Sequence, residues 1–581
     1  MAVDIFTAEI VRNALASASL EMNRTLRRTA YNPLLYDVQD FGLGIVSADG
    51  LLWGEAPGQS MFIGALSDTI KTGIAKHGKD GFSEGDVLIA NDPFLTGTHI
   101  SDTSIYVPIF AEGGLVAFAE ATAHWADIGG KSPGGWCPDS TDVYQEGICF
   151  AHQRLFRAGE PNVDLLELIS QNVRVPAVVR GDLDAMIAAC RIGESRVKAL
   201  CAKFGVAGVR EAMAVTIART DEAVRRQIAL IPDGTYSAAV SMDHDGVVKG
   251  EHPHIAVQVT IAGDRVVVGF EGTSPATRGP VNLTRIGTQA AVRVAMKALL
   301  APLDRTNEGH FQAVSFDLPA GLMVSAERPS PSDSYGYAAT CVEEMVFRSL
   351  APVLPDRCPA GGYQLTGGFF FRVDPRDGTP FICVDVVGGG NGGQPRGDGP
   401  TLMMFPNGDV PNTPVEVIET RYPAVRIDSY ALRIDGVGAG RFRGGMGVAR
   451  SYTLLEDGIL MQTVTENTRD TLGKGVGGGG NGGQPAIVVR PGEADEVRLV
   501  ERVTYYGPLA AGDRIEVLTP GGGGWGDPRE REPEQVARDV RDGLVTVVEA
   551  RATYLVALAA DGAGVDAGAT AALRAAARGA A

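Results

Sequence analysis

Two stretches of the chain carry metal-ligating and acid–base side chains at short spacings. In NDPFLTGTHISDTSIYVPIF (Asn91–Phe110), His99 and Asp102 stand three residues apart in a Gly/Thr-rich loop ahead of a strand-like run. In ATAHWADIGGKSPGGWCPD (Ala121–Asp139), His124 and Asp127 stand three apart at the end of the next such run. A hairpin turning at Gly113–Gly114, with paired positions summing to about 227, sets His124 opposite position 103. That brings His99, Asp102 and His124 to one end of one ribbon. Two imidazoles and a carboxylate there form a ligand set for zinc, manganese or iron, with positions left for water or substrate. Asp92 and Asp127 suit a fourth ligand or an outer shell that orients the imidazoles. The same residues have ordinary uses too. A His in such a loop serves as a hydrogen-bonded structural residue, and Asp92–Pro93 starts a turn. HDGVVKGEHPH (His244 to His254) alternates like an exposed hairpin and reads as ordinary surface.

The elements that must position these groups are legible in outline. Residues 4–29 predict a helix with Ile10, Val11, Ala14, Leu15 and Ala18 on one apolar face and Arg24, Arg27 and Arg28 near its C-terminal end, where the dipole favours cations. From Asp37 to about residue 125 the pattern is short alternating segments, which predict strands. Residues 160–230 return to helical texture, 234–275 to strands turning at Gly246 and Gly263, and 288–303 to a helix. The stretch 361–525 is Gly-rich and strand-like. In it GGGNGGQP occurs at Gly388–Pro395 and again at Gly478–Pro485. The repeat reads either as two similar loops in related β units or as two backbone-amide nests around an anion. At the end, PEQVARDVRD stops at Gly543, Thr546–Glu549 has capping-box spacing, and the Ala/Gly-rich tail predicts fraying.

Composition narrows the classes. The 581 residues carry 52 Lys and Arg against 70 Asp and Glu, a net charge of −18, which disfavours a nucleic-acid or anionic-membrane surface. Seven Cys without a CxxC pair suit reduced thiols in a cytosol, and the N-terminus has no secretory pattern. There is no HExxH, no GxSxG and no long apolar run. Gly130–Lys131–Ser132 has Trp125 where a phosphate loop requires Gly, and Gly473–Gly478 fits GxGxxG only inside a run of glycines. The sequence thus shows no nucleotide site of its own.

From about Asp4 to Leu558 the chain strongly resembles the hydantoinase B / oxoprolinase family, in the strings LRRTAYNPLLYDVQDFGLGIVSADG, NDPFLTGTHISD, AHWADIGGKSPG, DVYQEGI, RPSPSDSYGY, NTPVEVIETRYPAVRIDSYALR, GAGRFRGGMGVAR, GGGGWGDP and RDVRDGLV. The resemblance implies a cytoplasmic subunit of an ATP-dependent enzyme, with ATP and Mg on a separate hydantoinase A-like subunit, an (αβ)2 hetero-oligomer, and a cyclic amide as substrate. It also implies a divalent metal, zinc first and manganese next, on Asp40, His99, Asp102 and His124, with Asp127 or Glu146 as general base or orienter. The alternatives are a subunit of an acetone- or acetophenone-type carboxylase and a non-catalytic scaffold. Two departures from the family pattern, Phe62 and Trp125, predict a more apolar pocket. The expected fold is multidomain α+β, hydantoinase B-like, with a β-rich Gly-loop C-terminal half. Its expected parts are an N-terminal helix plus metal-site region (1–160), a helical region (161–232), an α+β region (233–360), a Gly-rich β region (361–530), C-terminal helices (531–560) and a flexible tail (561–581).

Overall fold

The computed structural model describes residues 3–579 except 375, 377, 379, 404–410, 500, 501, 503, 504 and 561–563. The chain divides into two compact units. Unit 1 comprises 1–349, 370–384 and 407–417; unit 2 comprises 350–369, 385–406 and 418–581. The fold is mixed α+β.

Unit 1 begins with helix α1 (Ile5–Thr29), whose N-cap Asp4 accepts from the amides of Phe6 and Thr7. Its buried stripe is Val11, Leu15, Ala18, Met22 and Leu26, while Ile10, expected inside, is exposed. After the short helix α2 (Pro33–Tyr36), β1 (Phe41–Ser47) and β2 (Leu52–Ala56) lead into α3 (Ser60–His77). Then follow β3 (Val87–Ala90), α4 (Pro93–Thr96), β4 (Asp102–Ala111), β5 (Gly114–His124), β6 (Gln153–Arg157) and β7 (Glu160–Pro161). These seven strands form one antiparallel sheet in the order β2-β1-β5-β4-β3-β6-β7.

Helix α5 (Val163–Asn172) and the long α6 (Pro176–Ile228) come next. Gly205 takes φ +72° and interrupts α6, and the Glu112 carboxylate accepts from the Val206 amide at the restart. One face of the sheet lies under α1 and α6, so that a Cβ on Gly193 of α6 would meet Met22, Ala119 and Ile45. Helix α3 covers the other face. There Val46, Leu88, Tyr106 and Phe118 pack with Leu66 and Ile70.

A second sheet, β11-β10-β9-β8, is built from β8 (Gly234–Ser241), β9 (His254–Ala262), β10 (Arg265–Gly269) and β11 (Val314–Asp317), β10 and β11 being parallel. Helix α7 (Arg285–Leu300) packs on α3, and α8 (Tyr335–Leu350) ends the unit's first span. The 244–254 segment forms no hairpin, and while Lys249 to His252 are exposed as expected, its start turns inward. His244 is buried with its Nδ1 accepting from the Gly246 amide, and Asp245 accepts from the amides of Val247, Val248 and Gly279. These local bonds fold the loop inward.

Unit 2 holds a five-stranded antiparallel sheet and a bundle of glycine segments. Both copies of GGGNGGQP belong to this bundle. The Gly393 amide donates to Gly523 O, Gly482 N to Gly473 O, Gly445 N to Asn391 O and Gly524 N to Gly480 O. Segments approach so closely that a Cβ on Gly445 would stand 1.8 Å from Pro400 O. Amides spent on neighbouring backbone do not form anion nests. The tail is not frayed where it is described: Ala567–Gly579 is a helix, with Thr570 Oγ1 accepting from the Ala557 amide. Its alanines have the highest helix propensity.

Candidate metal centre

The hairpin register decides the site. Strands β4 and β5 are joined by a two-residue turn, Glu112–Gly113, with φ +52° and +78°, the signs of a type I′ turn. A bulge between Ile109 and Phe110 then sets the register so that Asp102, not position 103, faces His124. A one-residue slip would send one of the two side chains to the opposite face of the sheet. The observed pairing puts both on the face that α3 covers.

There three ligand atoms meet. His99 Nε2 lies 3.0 Å from Asp102 Oδ1 and 3.1 Å from His124 Nδ1, and His124 Nδ1 lies 3.1 Å from Asp102 Oδ1. All three residues are buried, and their ligand atoms lie within 4.8 Å of one another. His99 Nδ1 donates to the carbonyl of Asp333 at 2.8 Å, which turns a lone pair on Nε2 toward the other two groups. His124 Nε2 is buried without a partner. Lone pairs facing lone pairs repel unless a proton or a metal cation lies among them. One imidazole held by a backbone carbonyl on its far side is the outer-shell arrangement of metal-ligating His. The donor set therefore fits a divalent transition metal.

The electrostatics agree. Burial alone would depress His99, but the Asp102 and Asp333 carboxylates outweigh it and raise the imidazole to about 9. The Asp102 carboxyl is held below its ordinary range, since the two histidines overcome the burial that would raise it. The position thus favours positive charge among the three groups.

Asp40 stands beside this trio without joining its mutually close set. Its backbone carbonyl accepts from the His124 amide, and burial raises its carboxyl to about 6 against the pull of His124. The structure gives Asp127 a different partner: Oδ1 takes Arg174 Nη1 at 2.9 Å, and Oδ2 accepts from the amides of Arg174 and Gly129. Asp92 caps α4 and pairs with Arg328 at 2.6 Å. Glu146 Oε1 accepts from Ser140 Oγ and from the amides of Ser332 and Asp333, and burial, with Asp333 beside it, raises the carboxyl to about 8. Asp127 is thus turned to Arg174, and Glu146 Oε1 to Ser140 and the 332–333 backbone, rather than to either imidazole.

The segment that Glu146 holds supplies two groups not singled out from sequence. Besides the Asp333 carbonyl, Tyr335 donates its hydroxyl to Asp102 Oδ2 at 3.2 Å, and its ring lies 5.2 Å from His99. Trp136 stands edge-on to His99 at 5.5 Å and tilted over His124 at 6.1 Å. The aromatic wall at the imidazoles is therefore Trp136 and Tyr335. Trp125 was expected there, but it follows His124 and turns to the other side, where its indole N–H meets Met186 Sδ on α6 at 3.4 Å. Phe62 packs at the start of α3 against Gly42 of β1.

Comparison with known proteins accords with this geometry. Residues 4–528 match the family model described as Hydantoinase B/oxoprolinase. The chain is 29% identical to a protein of Pseudomonas sp. strain NS671 named as the B-type component of a D-/L-hydantoinase, over 96% of this chain and 95% of that one. It is also 29% identical to the beta chain of the caprolactamase of Pseudomonas jessenii, over 96% and 97% of the two chains. The crystal structure of the ATP-dependent caprolactamase from that organism superposes with a TM-score of 0.88 at 28% identity, covering 99% of this chain and 100% of that one. The chain belongs to the hydantoinase B/oxoprolinase family.

Proposed function

We propose that this protein is the metal-containing subunit of an ATP-dependent enzyme that opens a cyclic amide, working with a hydantoinase A-like ATP-binding subunit in an (αβ)2 assembly. The observation that carries the reading is the convergence of His99 Nε2, His124 Nδ1 and Asp102 Oδ1 within 3.0–3.1 Å of one another. Two full-length relatives named for hydantoin and caprolactam chemistry supply the substrate class, and each is named as one component of a larger enzyme, which points to a partner.

His99, His124 and Asp102 would hold the cation, with Asp40 the neighbouring carboxylate available as a fourth ligand. When bound, a zinc or manganese ion supplies a Lewis acid that polarises the reacting oxygen. Among the chain's own groups, the Asp333 carbonyl fixes the His99 tautomer, and Tyr335 orients Asp102. Trp136 and Tyr335 present apolar faces beside the imidazoles, which suits the methylene part of a lactam ring. Asp127 braces the 127–130 turn through Arg174. Glu146 positions residues 332–335. Opening an unstrained ring amide needs an activated substrate, and the chain has no recognisable nucleotide loop, which leaves ATP to the partner.

The test is metal analysis of the purified protein, loaded with zinc or manganese and desalted, beside His99→Ala. Wild type is expected to retain one ion per chain and the variant to lose it. Reconstituted with its ATP-binding partner, the wild type should yield a ring-opened amino acid. A wild type that retains no metal, or a His99→Ala protein with undiminished ring opening, would overturn the proposal. A product labelled from bicarbonate would replace it with ketone carboxylation.

A further inference from the structure

On β4 and β5 the two faces of the sheet differ in a way packing does not require. The face toward α6 carries Ile105, Val107 and Ile109 on β4 and Ala117, Ala119, Ala121 and Ala123 on β5, all buried, with Thr103 its one polar member. The face toward α3, equally buried, carries a polar file in three register pairs: Asp102 with His124, Ser104 with Thr122, and Tyr106 with Glu120. Buried polar groups are tolerated when partnered and costly otherwise.

Some members of the file are partnered. Ser104 Oγ and Thr122 Oγ1 are 2.7 Å apart. Tyr106 Oη lies 3.0 Å from His152 Nδ1, and His152 Nε2 lies 3.0 Å from Thr72 Oγ1. Besides His124 Nε2, Glu120 is the exception. It is fully buried and neither oxygen completes a hydrogen bond, although the hydroxyls of Thr69 and Thr122 face it. At its far end the file reaches a cleft of about 990 Å³, lined by Lys76, His77, His152, Arg154, Leu165 and Leu168.

We propose that Glu120, Tyr106 and His152 form a proton path linking the sheet interior at Glu120, two register pairs along from Asp102 and His124, to the cleft at His77 and His152. In each step one bond to hydrogen forms as another breaks. A proton from the Glu120 carboxyl reaches Tyr106 Oη through a bridging water, as the tyrosine's own proton passes to His152 Nδ1. The imidazole then releases its Nε2 proton toward Thr72 and the cleft. Net charge moves and no atom is left with an extra bond.

The surroundings suit this role. Burial, and Asp68 on α3, push the Glu120 carboxyl well above its ordinary range, so it holds a proton at neutral pH. Tyr106 on β4, Asp68 on α3 and Cys190 on α6 are the titratable groups whose charge is coupled to it. His152 is pulled down to about 4 by burial and by Lys76 and His77, so it stands neutral and able to take a proton at one nitrogen while giving one up at the other. The path does not depend on a metal at the centre.

Infrared spectroscopy of the full chain tests it. Wild type should show a buried carboxylic-acid C=O band at pH 7 that Glu120→Gln removes. On transfer to D2O the band should shift, and Tyr106→Phe and His152→Gln should each slow the shift by about a hundredfold or more. Absence of the band in wild type would overturn the proposal. So would unchanged exchange in both blocked variants. If one variant fails to fold, the other decides. None of these readouts needs metal or substrate, so failure here is distinct from failure of the cyclic-amide reading.

Discussion

The candidate centre rests on groups that touch His99 and Asp102 from behind. Tyr335 donates to Asp102 Oδ2 at 3.2 Å, leaving Oδ1 to the histidines. Tyr335→Phe keeps the ring against His99 and removes only that donor. We expect about a tenfold weaker hold on zinc, read by competition with a chelating dye, and little change in melting temperature. An affinity equal to wild type would show that Asp102 is oriented without the hydroxyl. The cluster of His99, Asp102 and His124 was legible because imidazoles are few and their spacing repeats. Asp333 and Tyr335 were not, because they lie more than 200 residues away and Asp333 acts through a backbone carbonyl, which no residue type announces. Asp127 shows the same limit. Its sequence neighbourhood suggests the site, while its partner, Arg174, comes from the approach to α6.

At the scale of elements, alternation foretold the β4–β5 hairpin and helical periodicity foretold α1, but the register was one residue off. A bulge such as the one between Ile109 and Phe110 leaves no periodic signature, and it is what faces Asp102 to His124. The segment 332–335 depends similarly on one side chain. Replacing Glu146 with Ala strands the amides of Ser332 and Asp333 and the Ser140 hydroxyl, and should lower stability by about 1–3 kcal/mol and weaken metal binding with it. Glu146→Gln retains an acceptor oxygen and should restore much of both, as measured by thermal melting and metal titration. In unit 2 the glycines were legible by count, but not their bundling, since close backbone approach is a property of neighbours. Gly445→Ala, whose Cβ would stand 1.8 Å from Pro400 O, should cost more than about 3 kcal/mol or prevent folding. Gly397→Ala, with open space around its Cβ, should change stability by less than about 1 kcal/mol. Equal melting temperatures for the two would contradict the bundle.

Over the whole molecule, the distribution of histidine makes the two units respond differently to acid. All eight His lie between positions 77 and 310, inside the 1–349 span of unit 1, and unit 2 has none. His152 and His310 are both pulled down to about 4, burial being the main cause in each. An imidazole whose folded value lies below its unfolded value of about 6.5 binds its proton more readily in the unfolded chain. Its contribution is therefore complete above about 6.5 and is lost as pH falls toward 4, by up to about 3 kcal/mol for each group. Among the same unit's carboxyls, Asp40 and Asp333 are raised to about 6 and Glu146 to about 8, chiefly by burial, and act in the opposite sense: their contribution is full at low pH and fades as pH rises through those values. These offset the two imidazoles over the same range, so the histidine share is read as a difference between two proteins. Hydrogen exchange from pH 7 to pH 4.5 compares wild type with the paired change His152→Gln and His310→Gln, on α1 and α6 in unit 1 and on strands Gly447–Leu454 and Arg514–Leu518 in unit 2. As pH falls, the paired variant should gain protection relative to wild type in unit 1 and not in unit 2, once intrinsic exchange rates are divided out. A unit 1 difference that does not change with pH would mean that buried neutral imidazoles do not contribute to the acid limb.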